Sequence, residues 1–183
     1  NAIIHRDLKP NNIFINHDFD FFIGDFDSSR FLFKTTKSET FTKDIGSIQY
    51  SSPEMINSQS YTMKTDIYSF GLVLYYIFTE HHPYQDEGDY DIINLKNDQK
   101  FDQFKENIPN VFIQNIYSKC VKFDPNERSD SIDLIDDFIK LSFDMYQNKQ
   151  PNLFYYLMIE ENDLFIQQKI TNFYNKILNI YCK

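Results

Sequence analysis

The strongest constraint on the fold is a continuous apolar segment in the middle of the chain. Residues 67–78 read IYSFGLVLYYIF and contain no charged side chain. A segment of this kind, apolar nearly all round, predicts a helix that other elements bury on every side. The run is far shorter than the roughly 20 residues that span a bilayer, so we expect no membrane segment in this chain.

Two short β-prone runs near the start of the chain predict a hairpin. Residues 12–15 and 21–23 are rich in Ile and Phe, and the residues between them form a polar turn. Residues 28–52 then become polar and rich in Ser, Thr and Lys, without periodicity. This stretch predicts a long loop, and long loops in compact domains usually serve a function.

Three further helices are predicted after the apolar segment. They lie at residues 90–97, at residues 111–121 and after Ser129 or Ser131, either of which can cap the last helix. That last helix has one predicted apolar face, formed by Ile132, Ile135, Phe138 and Ile139. A small hairpin followed by helices predicts an α+β fold that is predominantly α.

The end of the chain differs in character. We place a boundary between a domain at residues 1–148 and a helical tail at residues 149–183. Apolar residues of the tail recur at spacings of four and three, at Ile166, Ile170, Phe173, Ile177 and Ile180. Because a coiled coil needs about 3–4 heptads, the simpler interpretation is a helix docked on the domain or on whatever follows it.

Charge and cysteine content limit the partners and the compartment. The net charge of −9 disfavours nucleic acid and anionic membrane surfaces as general partners. Cys120 and Cys182 form no CxxC pair, so we expect neither a zinc site nor a disulfide framework, and we expect a cytoplasmic location. Since the sequence begins at Asn1 and not at Met, we expect a fragment, and a membrane anchor upstream remains open.

The chemistry is concentrated at the start of the chain. Residues 5–12 read HRDLKPNN, and Asp25 follows Asn12 at the far end of the predicted hairpin. This pattern resembles the catalytic loop H-R-D-x-x-x-x-N and the metal-binding D-F-G of protein kinases. A His-Arg-Asp triplet alone would be weak evidence for this resemblance. Here the spacing to Asn12 and the predicted strand that follows also match the kinase pattern.

Three further segments resemble kinase motifs in the same order. They are GSIQYSSPE at residues 46–54, DIYSFG at residues 66–71 and NER at residues 126–128. The resemblance covers roughly residues 1–142 and implies the C-terminal lobe of a protein kinase, cut just before its catalytic loop. Lys9 indicates the serine/threonine class of protein kinases. The sequence Tyr-Ser-Phe-Gly at residues 68–71 resembles the tyrosine-kinase-like branch of that class.

The resemblance implies a role for each site residue. Asp7 would accept or orient the proton of the incoming hydroxyl, and Lys9 would place a cation on the transferring phosphate of ATP. Asn12 and Asp25 would hold Mg²⁺ through hard oxygen ligands. Strand alternation puts Phe14 on the same face as Asn12, and by the resemblance Phe14 would then lie beneath the adenine ring.

Structural roles follow from the same resemblance. Glu54 and Arg128 would form a buried ion pair, and Asp66 would accept backbone hydrogen bonds near His5 and Arg6. His5 would pack against Phe26 and not act as a base. One hydroxyl among Thr35, Thr36, Ser38, Thr40 and Thr42 could be an activating phosphosite that pairs with Arg6, although an ordinary polar loop is the simpler interpretation for each.

The sequence departs from the family pattern at two points. Asp27 stands where the family has Gly, which predicts altered switching of the loop or, alternatively, a non-catalytic kinase-like module. The chain has only four glycines and no Gly-rich phosphate loop. We therefore expect the 183 residues alone not to transfer phosphate.

Three functions remain open at this point. The first is an ATP-dependent serine/threonine kinase acting on protein substrates, and the second is the non-catalytic kinase-like (pseudokinase) binding module. The third is a small-molecule phosphotransferase, which shares the catalytic loop and the metal Asp. Lys9, the Ser-Pro-Glu segment and residues 66–71 argue against this third function.

Overall fold

A computed structural model describes residues 3–17, 20–31, 48–57, 62–98 and 100–147. By its contacts the chain divides into two compact units, Asn1–Leu141 and Ser142–Lys183. The described part of the second unit is the end of one helix, so the account below concerns the first. The predicted tail at residues 149–183 lies outside the described residues.

Among the residues described, four short strands form two antiparallel pairs. Strand β1 (Ile3–Ile4) pairs with β4 (Arg30–Phe31), and β2 (Ile13–Ile15) pairs with β3 (Phe21–Ile23). The β2–β3 pair is the predicted hairpin, with Phe14 opposite Phe22. The β1–β4 pair corrects the prediction of an unbroken loop from residue 28, because two residues of that stretch add to β1.

Asn12 does not lie in the hairpin. It ends a 3₁₀ turn at Pro10–Asn12, and β2 begins at the next residue. Strand alternation therefore does not relate Asn12 to Phe14, and that premise of the sequence analysis is wrong.

Five α-helices follow in the described part of the chain. They are α1 (Pro53–Ile56), α2 (Lys64–Thr79), α3 (Asp89–Asn97), α4 (Val111–Cys120) and α5 (Ser131–Gln147). Two 3₁₀ segments, Lys100–Asn107 and Pro125–Glu127, connect the later helices. Helices α2 to α5 confirm the sequence prediction, and so does the α+β fold, whereas α1 and the longer 3₁₀ segment were missed. None of the helices described combines the length and the apolar character that crossing a bilayer requires.

Helix α2 forms the centre of the core. Tyr68 and Leu72 are fully buried, and a Cβ atom on Gly71 would lie 2.7 Å from Cβ of Cys120. Only glycine lets α2 approach the end of α4 this closely. Ile77, however, is 46% exposed, so the helix is not buried on every side. It lies nine residues, about two and a half turns, after Tyr68 and so faces the opposite side.

The apolar face predicted for α5 is correct at Phe138 and wrong at Ile132 and Ile135. Ile132 and Ile135 are 70% and 54% exposed, whereas Leu134 is buried. Phe138, one turn after Leu134, makes an edge contact with Phe70 of α2 at 6.3 Å between ring centroids. The helix therefore packs through Leu134 and Phe138. The prediction failed because it merged two apolar stripes that lie on different sides of the helix.

Candidate active site

Asp66, in the first turn of α2, fixes the backbone at the start of the HRD segment. Its two carboxylate oxygens accept hydrogen bonds from the amides of His5 at 2.7 Å and Arg6 at 2.9 Å. Arg6 has a φ of 72°, a left-handed conformation that is strained in a residue other than glycine. Burial raises the pKa of Asp66, although the two amide hydrogen bonds act to lower it. The role expected for Asp66 is confirmed.

Asp7, Lys9 and Asn12 lie together after this strained turn. The ammonium of Lys9 is 2.7 Å from Oδ2 of Asp7, and Nδ2 of Asn12 donates to the same oxygen at 3.1 Å. Nδ2 also donates to the carbonyl of Asp7 at 2.8 Å. Asn12 is buried, while the side chains of Asp7 and Lys9 reach solvent. Two donors thus orient one carboxylate at the surface of the loop.

The hairpin returns the chain to this cluster. The amide of Gly24 donates to the carbonyl of Asn12 at 2.9 Å, so Asp25 directly follows the residue that pairs with Asn12. Asp25 has a φ of 61°, and its side chain is exposed. Left-handed backbone at an aspartate is uncommon and is often found at functional sites. The backbone of Asp25 therefore lies beside the cluster that holds Asp7.

Phe14 packs against the same end of β3. A Cβ atom on Gly24 would lie 2.7 Å from Cε2 of Phe14, so the ring needs a glycine at that position. Phe14 is 55% exposed. An aromatic ring with a free face, two residues after Asn12, is suited to contact with a flat apolar group.

Asn12 and Asp25 carry the oxygen atoms that Mg²⁺ prefers. Because Asn12 donates through Nδ2, its Oδ1 is the atom suited to act as a ligand, and Asp25 adds an exposed carboxylate. Within the described ranges, no three His, Cys, Asp or Glu side chains form a metal site by themselves. The donor set fits an ion that takes its other ligands from phosphates and water.

His5 has a structural role, as the sequence analysis expected. Its ring lies edge-on to Phe26 at 4.9 Å between centroids, and Nε2 forms a hydrogen bond with the carbonyl of Gly24 at 2.9 Å. The residue is buried. It therefore ties the HRD segment to the residues on either side of Asp25.

Asp27, which replaces the glycine of the family pattern, fits this backbone without strain. Positive φ angles among the described non-glycine residues occur at Arg6, Asp25, Glu80 and Tyr84, and not at Asp27. Its side chain is exposed. In this conformation the position does not need the backbone freedom of glycine.

The ion pair expected between Glu54 and Arg128 is present and buried. Each guanidinium NH₂ nitrogen lies 2.7 Å from one oxygen of the Glu54 carboxylate. Thr65 donates to the same carboxylate at 2.9 Å, and Arg128 also donates to the carbonyls of Lys64, Lys122 and Phe123. Burial acts to raise the pKa of Glu54, but Arg128 lowers it below its ordinary value.

Two polar residues that the sequence analysis overlooked also bind the loop before α1. Lys96 of α3 is fully buried and donates to backbone carbonyls of that loop, as does Ser69 of α2. The one sequence signal was that Lys96 falls four residues after Ile92, on the face of α3 that turns to the core. The candidate phosphosites at residues 35–42 lie outside the described residues.

Comparison with known proteins gives a family match over nearly the whole chain. A family model described as "Protein kinase domain" matches residues 1–178. The chain is 34% identical over 164 residues to mitogen-activated protein kinase kinase 1 of Arabidopsis thaliana. The aligned residues cover 82% of this chain and 43% of that protein. The chain thus spans less than half the length of this curated relative.

Two other relatives come from distant organisms. The chain is 33% identical over 146 residues to serine/threonine-protein kinase PrkC of Bacillus subtilis, which covers 79% of the chain and 22% of that protein. It is 35% identical over 139 residues to a Raf homolog serine/threonine-protein kinase of Caenorhabditis elegans, covering 69% of the chain and 17% of that protein. All three relatives are named as kinases.

Proposed function

The chain belongs to the protein kinase family, and on that premise we propose that it is the catalytic C-terminal lobe of a serine/threonine protein kinase. The reaction is transfer of the γ-phosphate of ATP to hydroxyl groups of proteins. The observation that carries the proposal is the Asp7 carboxylate, which Lys9 and Asn12 orient within a loop anchored by Asp66. The serine/threonine class rests on Lys9 and on the names of the relatives.

Each residue of the cluster has a distinct task in this proposal. Asp7 accepts the hydrogen bond of the acceptor hydroxyl and orients it toward the phosphate. Lys9, whose ammonium contacts Asp7, places its positive charge beside the transferring phosphate. Asn12 and Asp25 hold Mg²⁺, which neutralises the phosphate charge when bound. Phe14 lies beneath the adenine ring.

Replacing Asp25 with asparagine tests the metal role. We expect the Asp25→Asn variant of the native full-length protein to require about 10-fold more Mg²⁺ for half-maximal phosphorylation of casein, because one anionic ligand is lost. The measurement is incorporation of radiolabelled phosphate across a magnesium titration. Asp20→Asn, at the exposed hairpin turn, serves as the control. An unchanged magnesium requirement in Asp25→Asn would remove Asp25 from the metal site.

The lobe assignment leads to a second prediction. In the proposal, residues 1–148 are the C-terminal lobe and residues 149–183 a helical tail. These residues then form only one side of the nucleotide-binding site. The chain has four glycines and no Gly-rich phosphate loop. We expect the 183-residue chain alone to phosphorylate casein no faster than its Asp7→Asn variant. Turnover well above that variant would show that these residues suffice.

A non-catalytic kinase-like module is the second candidate. The observation in its favour is Asp27, because the family has glycine there and an added carboxylate beside Asp25 alters the charge of the metal site. Against it, the exposed Asp27 adopts an ordinary backbone conformation, and the Asp7 cluster is complete. We therefore place the catalytic function first.

A further inference from the structure

The loop before α1 is held by side chains, although it has no regular secondary structure of its own. The ammonium of Lys96 donates to the carbonyls of Ile48 at 2.9 Å, Gln49 at 2.8 Å and Ser51 at 2.6 Å. Ser69 donates to the remaining carbonyl, that of Tyr50, at 2.8 Å. Four consecutive carbonyls are therefore bound by two side chains. An ammonium has three N–H donors, so the match with Lys96 is complete.

Lys96 is not the residue that packing alone would favour. It is fully buried, and its ammonium lies 5.4 Å and 5.1 Å from the ring centroids of Tyr68 and Tyr84. Taking an ammonium out of water is unfavourable, and burial lowers the pKa of Lys96 while the charge of Glu54 raises it. A Met side chain of similar size would fill the same space without that desolvation. What lysine adds is its three bonds to the loop at residues 48–51.

The loop at residues 48–51 lies next to the catalytic loop because α2 holds both. Asp66 binds the amides of residues 5–6, and Ser69, three residues later on the same face, binds the carbonyl of Tyr50. Three residues of helix correspond to about 4.5 Å along the axis. The backbone at residues 5–6 and the loop at residues 48–51 are therefore held by side chains about one turn apart on the same helix.

We propose that Lys96 is a positioning residue for the protein substrate, which holds the loop at residues 48–51 in the shape that receives the polypeptide beside Asp7. This inference rests on the proposed kinase function. ATP is bound elsewhere in that proposal, through Lys9, Asn12, Phe14 and Asp25. Loss of the Lys96 ammonium therefore changes the binding of the protein substrate and not that of ATP.

Steady-state kinetics of Lys96→Met in the native full-length protein test this inference. With casein as the acceptor, we expect the KM for casein to rise about 10-fold, because the loop loses three charge-assisted hydrogen bonds. The KM for ATP and the rate of ATP hydrolysis without casein should stay within about twofold of wild type. Lys140→Met, at an exposed position of α5, is the matched control and should change none of these values.

Ser69→Ala gives a second, milder test if Lys96→Met fails to fold. It removes the donor to Tyr50 alone, and we expect the KM for casein to rise about threefold. A residue needed only for stability would lower the amount of active enzyme and hence the apparent kcat, with both KM values unchanged. That result, or an equal rise in both KM values, would overturn the inference.

The same experiment separates the inference from the function on which it rests. A wild-type protein that neither phosphorylates casein nor hydrolyses ATP contradicts the kinase function, and the role of Lys96 falls with it. An active wild type together with an unchanged KM for casein in both variants contradicts the role of Lys96 alone.

Discussion

Replacement of Asp7 by asparagine in the native full-length protein is expected to slow phosphorylation of casein by at least about 100-fold. The change keeps the size of the side chain and removes the charge that Lys9 and Asn12 orient. An amide oxygen is a far weaker proton acceptor than a carboxylate, and an amide nitrogen facing Lys9 would set two donors against each other. The measurement is incorporation of radiolabelled phosphate at saturating ATP and Mg²⁺.

The matched control is Asp136→Asn, which removes an exposed carboxylate from α5 and should leave the rate unchanged. Binding of ATP should survive in Asp7→Asn, because the proposed nucleotide contacts of Asn12 and Asp25 are kept. This separates a lost chemical step from a lost site. Equal, negligible phosphorylation by wild type and Asp7→Asn would favour the non-catalytic module, whereas equal and substantial phosphorylation would place the chemistry elsewhere.

The local parts of the site could be predicted because their signals lie within a few residues of sequence. The hairpin needs two β-prone runs and a polar turn, and its strands form as predicted except that β2 begins at Ile13 and not at Asn12. The anchoring of His5 and Arg6 by Asp66 and the Glu54–Arg128 pair join distant residues, and the family resemblance supplied both. The nucleotide and metal roles of Asn12, Phe14 and Asp25 stay predictions, as does a cytoplasmic location.

What escaped prediction depends on partners that periodicity does not specify. Strand β4 exists because residues 30–31 meet β1, which is far away in sequence. The buried side of α5 is decided by Phe70 on α2, so an equally apolar stripe at Ile132 and Ile135 is left exposed. A lysine in a short helix is ordinarily solvated, and only the carbonyls of another segment make burial of Lys96 possible.

The largest effect on stability is expected from Arg128→Met. This change leaves the Glu54 carboxylate buried without its cation and frees the carbonyls of Lys64 and Lys122. Removing one partner of a buried, bidentate pair typically destabilises a protein by about 3–5 kcal/mol. We expect a loss of that size in the free energy of opening, measured by hydrogen exchange at buried amides of α2 such as that of Leu72.

An exposed ion pair provides the contrast that tests the physical reason. Lys119→Met breaks the pair with Asp137, in which the lysine side chain is 47% exposed, and should lower the free energy of unfolding by no more than about 1 kcal/mol.

The pH dependence of stability gives a further check on the Glu54–Arg128 pair. Because the pKa of Glu54 is held below its ordinary value in the folded protein, the stabilisation by the pair is present above the unfolded pKa and is lost as the pH falls through the folded one. The difference between wild type and Arg128→Met should therefore shrink in acid, and a difference that is small at neutral pH would contradict the assignment of the pair as a main support of α1 and α2.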